Sequence, residues 1–168
     1  MPDSERTGGS DEIRFYLPDE APYGVLANYY PSPVELDGVT YQSAEHAFQA
    51  FKAARKEVAQ WIAAAPDAFL AAAIGDNLPA HEIVPRWKEQ REELMRPILK
   101  AKFAQNEALR ELLLGTKDAE ISEWVHEDNE TNRFWSKVDG VGANVLGKLL
   151  MELRAKMAET ASSALRGT

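Results

Sequence analysis

The segment YYPSPVELDGVTYQS (29–43) constrains this chain more than any other. Pro31 and Pro33 lack the amide donor a helix interior needs, so no helix runs through them. Val34-Glu35-Leu36, Asp37-Gly38 and Val39-Thr40-Tyr41 then read as two short strands around the Asp-Gly turn of a tight hairpin. Ser43 follows as an N-cap, and AEHAFQAFKAARKEVAQWIAAA (44–65) reads as one helix. Its Ala44, Ala47, Phe48, Phe51 and Ala54 fall at helical spacing and point to the core.

The remaining chain is helical with few strands. IRFYLP (13–18) reads as a short strand stopped by Pro18, and PDAFLAAAIG (66–75) as a short helix. VPRWKEQREELMRPILKAKFAQN (84–106) reads as a helix bent or restarted at Pro97, with Trp87, Met95 and Phe103 as core residues. EALRELLLG (107–115) is a further helix, and EISEWVHED (120–128) a strand in which Ile121, Glu123 and Val125 alternate. NETNRFWSKVDGVGAN (129–144) reads as a turn-rich loop, and ANVLGKLLMELRAKMA (143–158) as the closing amphipathic helix. The expected class is α+β, a mostly helical single domain with a small antiparallel β-sheet. It spans 13–157, between a polar tail (1–12) and a fraying C-terminal tail (158–168).

With 19 Lys+Arg against 27 Asp+Glu, the net charge of −8 does not suit long contacts with a nucleic-acid backbone. A local cationic pocket for one nucleotide stays compatible with it. The chain has no Cys, which excludes disulfides, thiolate zinc sites and cysteine nucleophiles. No apolar run reaches the roughly 18 residues of a membrane span, and the first residues lack an apolar signal core. A soluble, intracellular protein without a membrane partner is expected, cytoplasmic or, in a eukaryote, nuclear. The three histidines are not at HxxxH spacing, so no metal is expected, and no cofactor.

Two polar clusters could carry chemistry. Glu45, Gln49, Lys52 and Lys56 line one face of the first long helix, opposite its apolar face. A carboxylate and an amine on one face suit general acid/base or imine chemistry; the same spacing suits a solvated helix face. The second cluster is the loop of Asp128, Asn129, Asn132, Trp135 and Asn144. It either presents a stacking platform for a base or sugar, or uses Phe134 and Trp135 to plug the core edge. Gly140-Val141-Gly142-Ala143-Asn144 also precedes a helix whose N-terminus could receive a phosphate.

Three blocks, LANYYPSPVELDGVTYQSAEHAFQAFKA (26–53), LMRPILKAKFAQNEALRELLLGT (94–116) and FWSKVDGVGANVLGKLLMELR (134–154), resemble the NADAR (NAD- and ADP-ribose-associated) domain family in order and spacing. The resemblance covers about 13–157 and implies hydrolysis of a ribose C1–N bond. One branch of the family removes ADP-ribose from guanine in nucleic acid, the leading expectation for this chain; another, the alternative, cleaves early phosphorylated intermediates of riboflavin biosynthesis. A third possibility is a non-catalytic module that binds ADP-ribose or NAD. The implied partner is ADP-ribosylated guanosine or a related N-riboside, with a DNA base single-stranded or flipped out of the stack. Carried over by position, Glu45 and Lys52 are the catalytic candidates. Asn28, Tyr29, Gln49, Asn132, Trp135 and Asn144 are the substrate-binding ones. The chain departs from the family pattern at Ala27 for Ser, Asp76 for a basic residue, Asn132 for Asp, Ser136 for Gly and Ala143 for Lys. The missing Asp at 132 removes one of two expected carboxylates, for which Asp128 or Glu130 would be the substitute.

Overall fold

Strand β1 (Glu12–Phe15) lies parallel to β4 (Glu120–Val125), pairing Ile13 with Ile121 and Phe15 with Glu123. β4 in turn pairs in parallel with the two-residue β5 (Lys137–Val138). The structure, a computed structural model, describes residues 11–166. The polar tail expected over 1–12 lies outside the described residues as far as residue 10, and Glu12 already belongs to β1. The class is α+β and mostly helical, as read from the sequence. The hairpin of β2 (Val34–Leu36) and β3 (Val39–Tyr41) is antiparallel about the Asp37-Gly38 turn, where both residues have positive φ. The three-stranded sheet, however, is parallel, because its strands come from distant parts of the chain rather than from a hairpin.

Among the described residues, seven α-helices surround these strands: α1 (Ala44–Lys52), α2 (Lys56–Ala63), α3 (Ala68–Asp76), α4 (Trp87–Gln105), α5 (Glu107–Gly115), α6 (Glu130–Trp135) and α7 (Val145–Arg166). Side-chain caps set four of their starts: Ser43, Asp67, Asn106 and Asn129 accept the amides of His46, Leu70, Leu109 and Asn132. The core gathers Phe15, Leu26, Val34, Phe48, Ile62, Met95, Ile98, Leu99, Phe103, Leu113, Ile121, Leu146 and Leu150.

Four sequence expectations change. The helix expected over 44–65 is two helices, because Ala53 leaves helical geometry to pair with Ile83. The Ala54 amide donates to Glu82 O (2.7 Å) and the Val84 amide to Lys52 O (2.9 Å). Arg55 clasps Glu82 through Nε and Nη2, and Ala54 ends up exposed rather than in the core. Of the two outcomes open at Pro97, a restart does not occur, since α4 is continuous from Trp87 to Gln105. The expected loop 129–144 contains α6, capped by Asn129 on the Asn132 amide (2.8 Å), and then β5. Finally, α7 continues past 157 to Arg166 rather than ending there.

Candidate active site

Helix α1 is buried around most of its circumference: Ala44, Glu45, His46, Ala47, Phe48, Gln49 and Ala50 are all buried, with α2, α3 and α4 packed on it. The polar stripe is therefore no solvated face. Glu45, Gln49 and Lys52 instead open into a cleft of about 680 Å³, within the usual range for small-molecule sites. Asn28 and Tyr29 reach it from the loop before the hairpin, Phe69 and Asp76 from α3, and Trp87, Arg91 and Met95 from α4. Glu123 and Val125 of β4 and the α6 segment with Asn132, Trp135 and Ser136 close the opposite wall.

The geometry separates the sequence candidates. Glu45, Lys52, Asn28, Tyr29, Gln49, Asn132 and Trp135 share this cleft. Lys56 does not: it opens α2 and is exposed. Asn144 does not line the cleft either. Its Nδ2 donates to Ile121 O (2.9 Å) and its Oδ1 accepts the Glu123 amide (3.3 Å). Asn suits this left-handed position (φ 51°), and its short amide pegs β4 from behind. The amides just ahead of α7 are not free for a phosphate, since Ala143 N donates to Arg133 O and Asn144 N to Ser136 O. His46 is occupied structurally, one ring nitrogen against Ser43 Oγ (2.8 Å) and the other against Ala65 O (3.1 Å).

Of the carboxylates that line the cleft, Glu45 and Glu123 are the two that burial pushes upward. Glu45 accepts a hydrogen bond from Gln49 Nε2 (2.8 Å), yet burial dominates and pushes its pKa up to about 7, helped by the negative charges of Asp76 and Glu123. Glu123 is also held above the ordinary carboxylate range by desolvation, although Ser136 Oγ donates to its Oε2. Sequence reasoning placed Glu123 only in the strand's alternation; that alternation, which sends Ile121, Glu123 and Val125 to one face, was the available signal. Asp128 does not line the cleft: it is exposed and bound by Arg133. Glu130 lies on the rim, bound to Lys88 Nζ (2.7 Å).

Lys52 Nζ lies 3.3 Å from Asp76 Oδ1, so the acidic residue at 76 is the lysine's ion-pair partner across the cleft wall. Tyr29 stacks at a tilt on Phe69 (4.9 Å between centroids). Burial and the charges of Glu45, Asp76 and Glu123 hold its hydroxyl protonated well above the ordinary range. Phe48 contacts Trp87 (4.9 Å) and, edge-on, Trp135 (5.4 Å), while Phe134 meets Trp135 edge-on (4.9 Å). Trp135 thus closes the core edge and also lines the cleft. Trp87, expected in the core, is only partly buried and lines the same cleft. Two amide oxygens, Asn28 Oδ1 and Gln49 Oε1, are buried with no hydrogen-bond partner among the described residues. Such acceptors on a cleft wall suit ligand hydroxyl or N–H groups.

The NADAR domain model matches residues 14–158, almost the whole described chain. This chain belongs to the NADAR family. It is 35% identical over 147 residues to the N-glycosidase YbiA of Escherichia coli strain K12, covering 87% of this chain and 88% of that protein. It is 37% identical over 153 residues to the riboflavin biosynthesis protein VVA0006 of Vibrio vulnificus, covering 89% of this chain but 39% of that longer protein. The NMR structure of E. coli YbiA superposes with a TM-score of 0.77 at 34% identity, covering 90% of this chain and 88% of that one. In this chain the cleft lies between α1, α3, α4, β4 and α6.

Proposed function

We propose that this chain is an N-glycosidase that hydrolyses a ribose C1–N bond. The observation that carries this reading is the pair of desolvated carboxylates, Glu45 and Glu123, facing one aromatic-walled cleft. Breaking a C1–N bond builds positive charge at C1 and negative charge on the departing nitrogen. Glu45, with its pKa near 7, exchanges a proton near neutral pH and so serves as acid toward that nitrogen or as base toward the attacking water. Glu123 supplies the second carboxylate that Asn132 no longer provides, its orientation fixed by Ser136 and by the Asn144 peg. Asn28 Oδ1 accepts a ribose hydroxyl, and Trp87 and Trp135 flank the base.

Lys52, paired with Asp76, acts in this reading as a fixed positive charge that orients substrate oxygens. The alternative, attack of its free amine on ring-opened ribose at C1, requires that pair to open. Borohydride trapping with mass spectrometry separates the two: no adduct is expected, and one at Lys52 would make it the nucleophile.

The relatives are named an N-glycosidase and a riboflavin biosynthesis protein, which supports the reaction class. Two substrates follow from the family: ADP-ribosylated guanine, and the early phosphorylated intermediates of riboflavin biosynthesis. The sequence departures at 132 and 136 favour the first. The charge of the wall favours the second, since Glu45, Asp76, Glu123, Glu127 and Glu130 face only Lys52 and Arg91 among the described residues. A single phosphate meets less repulsion there than a diphosphate. We therefore rank the singly phosphorylated riboside first and ADP-ribosylated guanine second. Turnover of both in parallel decides: faster release of ribose 5-phosphate from the riboflavin precursors is expected. Faster release of ADP-ribose from guanine in a short single strand would reverse the order. Saturable ADP-ribose binding with no turnover of either would make the chain a binding module and overturn the proposal.

A further inference from the structure

The cleft holds a cation that nothing among the described residues fully neutralises. Arg91 is about nine-tenths buried, and its Nε has no hydrogen-bond partner among the described residues. Trp87, Arg91 and Met95 stand four residues apart along α4, so one helix face sends all three side chains to the cleft. The guanidinium sits over Phe134, its carbon 3.6 Å from the ring centroid, which holds it against the ring. The carboxylate acting on it is that of Glu130, and that group is already bound by Lys88 Nζ at 2.7 Å.

A buried guanidinium with unmet donors is costly unless a ligand supplies oxygens. Its planar fork matches the oxygens of a phosphate two at a time, as an ammonium cannot. Lys52 is not an equivalent site, because Asp76 holds it at 3.3 Å. We propose that Arg91 is the phosphate anchor of the cleft and gives this chain its preference for a phosphorylated over a plain riboside. The identification of the ligand as a sugar phosphate rests on the N-riboside reading above; the unmet guanidinium does not.

The test is binding of ribose 5-phosphate and of ribose, followed by calorimetry and by tryptophan fluorescence from Trp87 and Trp135. The wild-type chain is expected to bind ribose 5-phosphate at least tenfold more tightly than ribose. Arg91→Gln should bring the two within about twofold, Arg91→Lys should keep part of the difference, and Lys52→Gln should keep most of it. Arg91→Met retains the packing on Phe134 and should melt no lower than wild type without ligand. No preference in wild type, or an undiminished one in Arg91→Gln, overturns the proposal, as does a marked fall in the melting temperature of Arg91→Met. Turnover is scored separately. A phosphate preference without turnover leaves the anchor standing and removes the N-glycosidase reading, whereas turnover without the preference does the reverse.

Discussion

Glu45 is the residue on which the chemistry turns, and its environment yields a paired expectation for activity and stability. Burial raises its pKa from 4.5 to about 7, so the folded chain holds a proton there that the unfolded chain releases at lower pH. Glu45→Gln keeps the shape and the Gln49 contact but cannot move a proton. It should lower kcat by about 10²- to 10⁴-fold, the usual worth of general acid/base catalysis. Glu123→Gln should lower it by about 10²-fold or more on the same grounds. Both are measured by steady-state turnover with circular dichroism confirming the fold; near-wild-type rates in both would remove the pair from the mechanism. The helix stripe was legible in the sequence, since Glu45, Gln49 and Lys52 share the cleft. Its surroundings were not, because periodicity marks which residues share a face and is silent on what covers that face. Glu123 and Arg91 escaped for the same reason: one shares a strand face with Ile121 and Val125, the other looked like a charge on a charged helix.

At the scale of elements, small residues hold the site together, and two substitutions separate support from contact. Gly75 sits in α3 where a Cβ would collide with the side-chain amide of Gln49. Gly75→Ala gains about 1 kcal/mol of helix propensity, which offsets much of the steric cost. The amide that gives way is the one that bonds Glu45 (2.8 Å), so activity should fall at least tenfold while the melting temperature barely moves. Unchanged turnover would show that Gln49 does not orient Glu45. Asn144→Ala should behave differently. It removes three hydrogen bonds to β4, those with Ile121, Ser122 and Glu123, and puts Ala at φ 51°, for an expected loss of about 1–3 kcal/mol in urea denaturation. A ligand-binding Asn144 would instead lose affinity with stability intact. The hairpin was readable because Asp37-Gly38 encodes its own turn, and Ser43 its own cap. The break after Lys52 was not, because it is imposed by residues 82–84 pairing from outside the helix. The parallel sheet was equally hidden, its strands separated by more than a hundred positions in β1 and β4.

Across the whole molecule, four groups with displaced pKa values compete, and the result is a stability profile with a dip near neutrality. Lys137 binds Glu12 (2.8 Å) and Glu120 (2.6 Å) across the parallel sheet and holds Glu12 down at about 2. A lowered carboxyl pKa contributes stability that is present above 4.5 and lost as pH falls toward 2. Glu45 has the opposite sign: its contribution is present below 4.5 and lost as pH rises through 7. That loss is about 3 kcal/mol, at roughly 1.36 kcal/mol for each pH unit separating the folded from the unfolded pKa. Glu123, raised in the same direction, deepens it. Lys102 is fully buried, donates to Ala27 O (2.7 Å) and is lowered by desolvation from 10.5 to about 7. The unfolded chain therefore binds the extra proton between those values, and stability climbs again as pH rises from 7 toward 10.5. Urea unfolding at pH 4.5, 7 and 9 should place the minimum at 7, with Glu45→Gln removing most of the fall and Lys102→Met most of the later climb. A steady rise of wild-type stability from pH 4.5 to 7 would mean that Glu45 is not desolvated in the folded chain. The acid-base argument for the cleft would then lose its footing along with the dip, because both depend on the same buried proton.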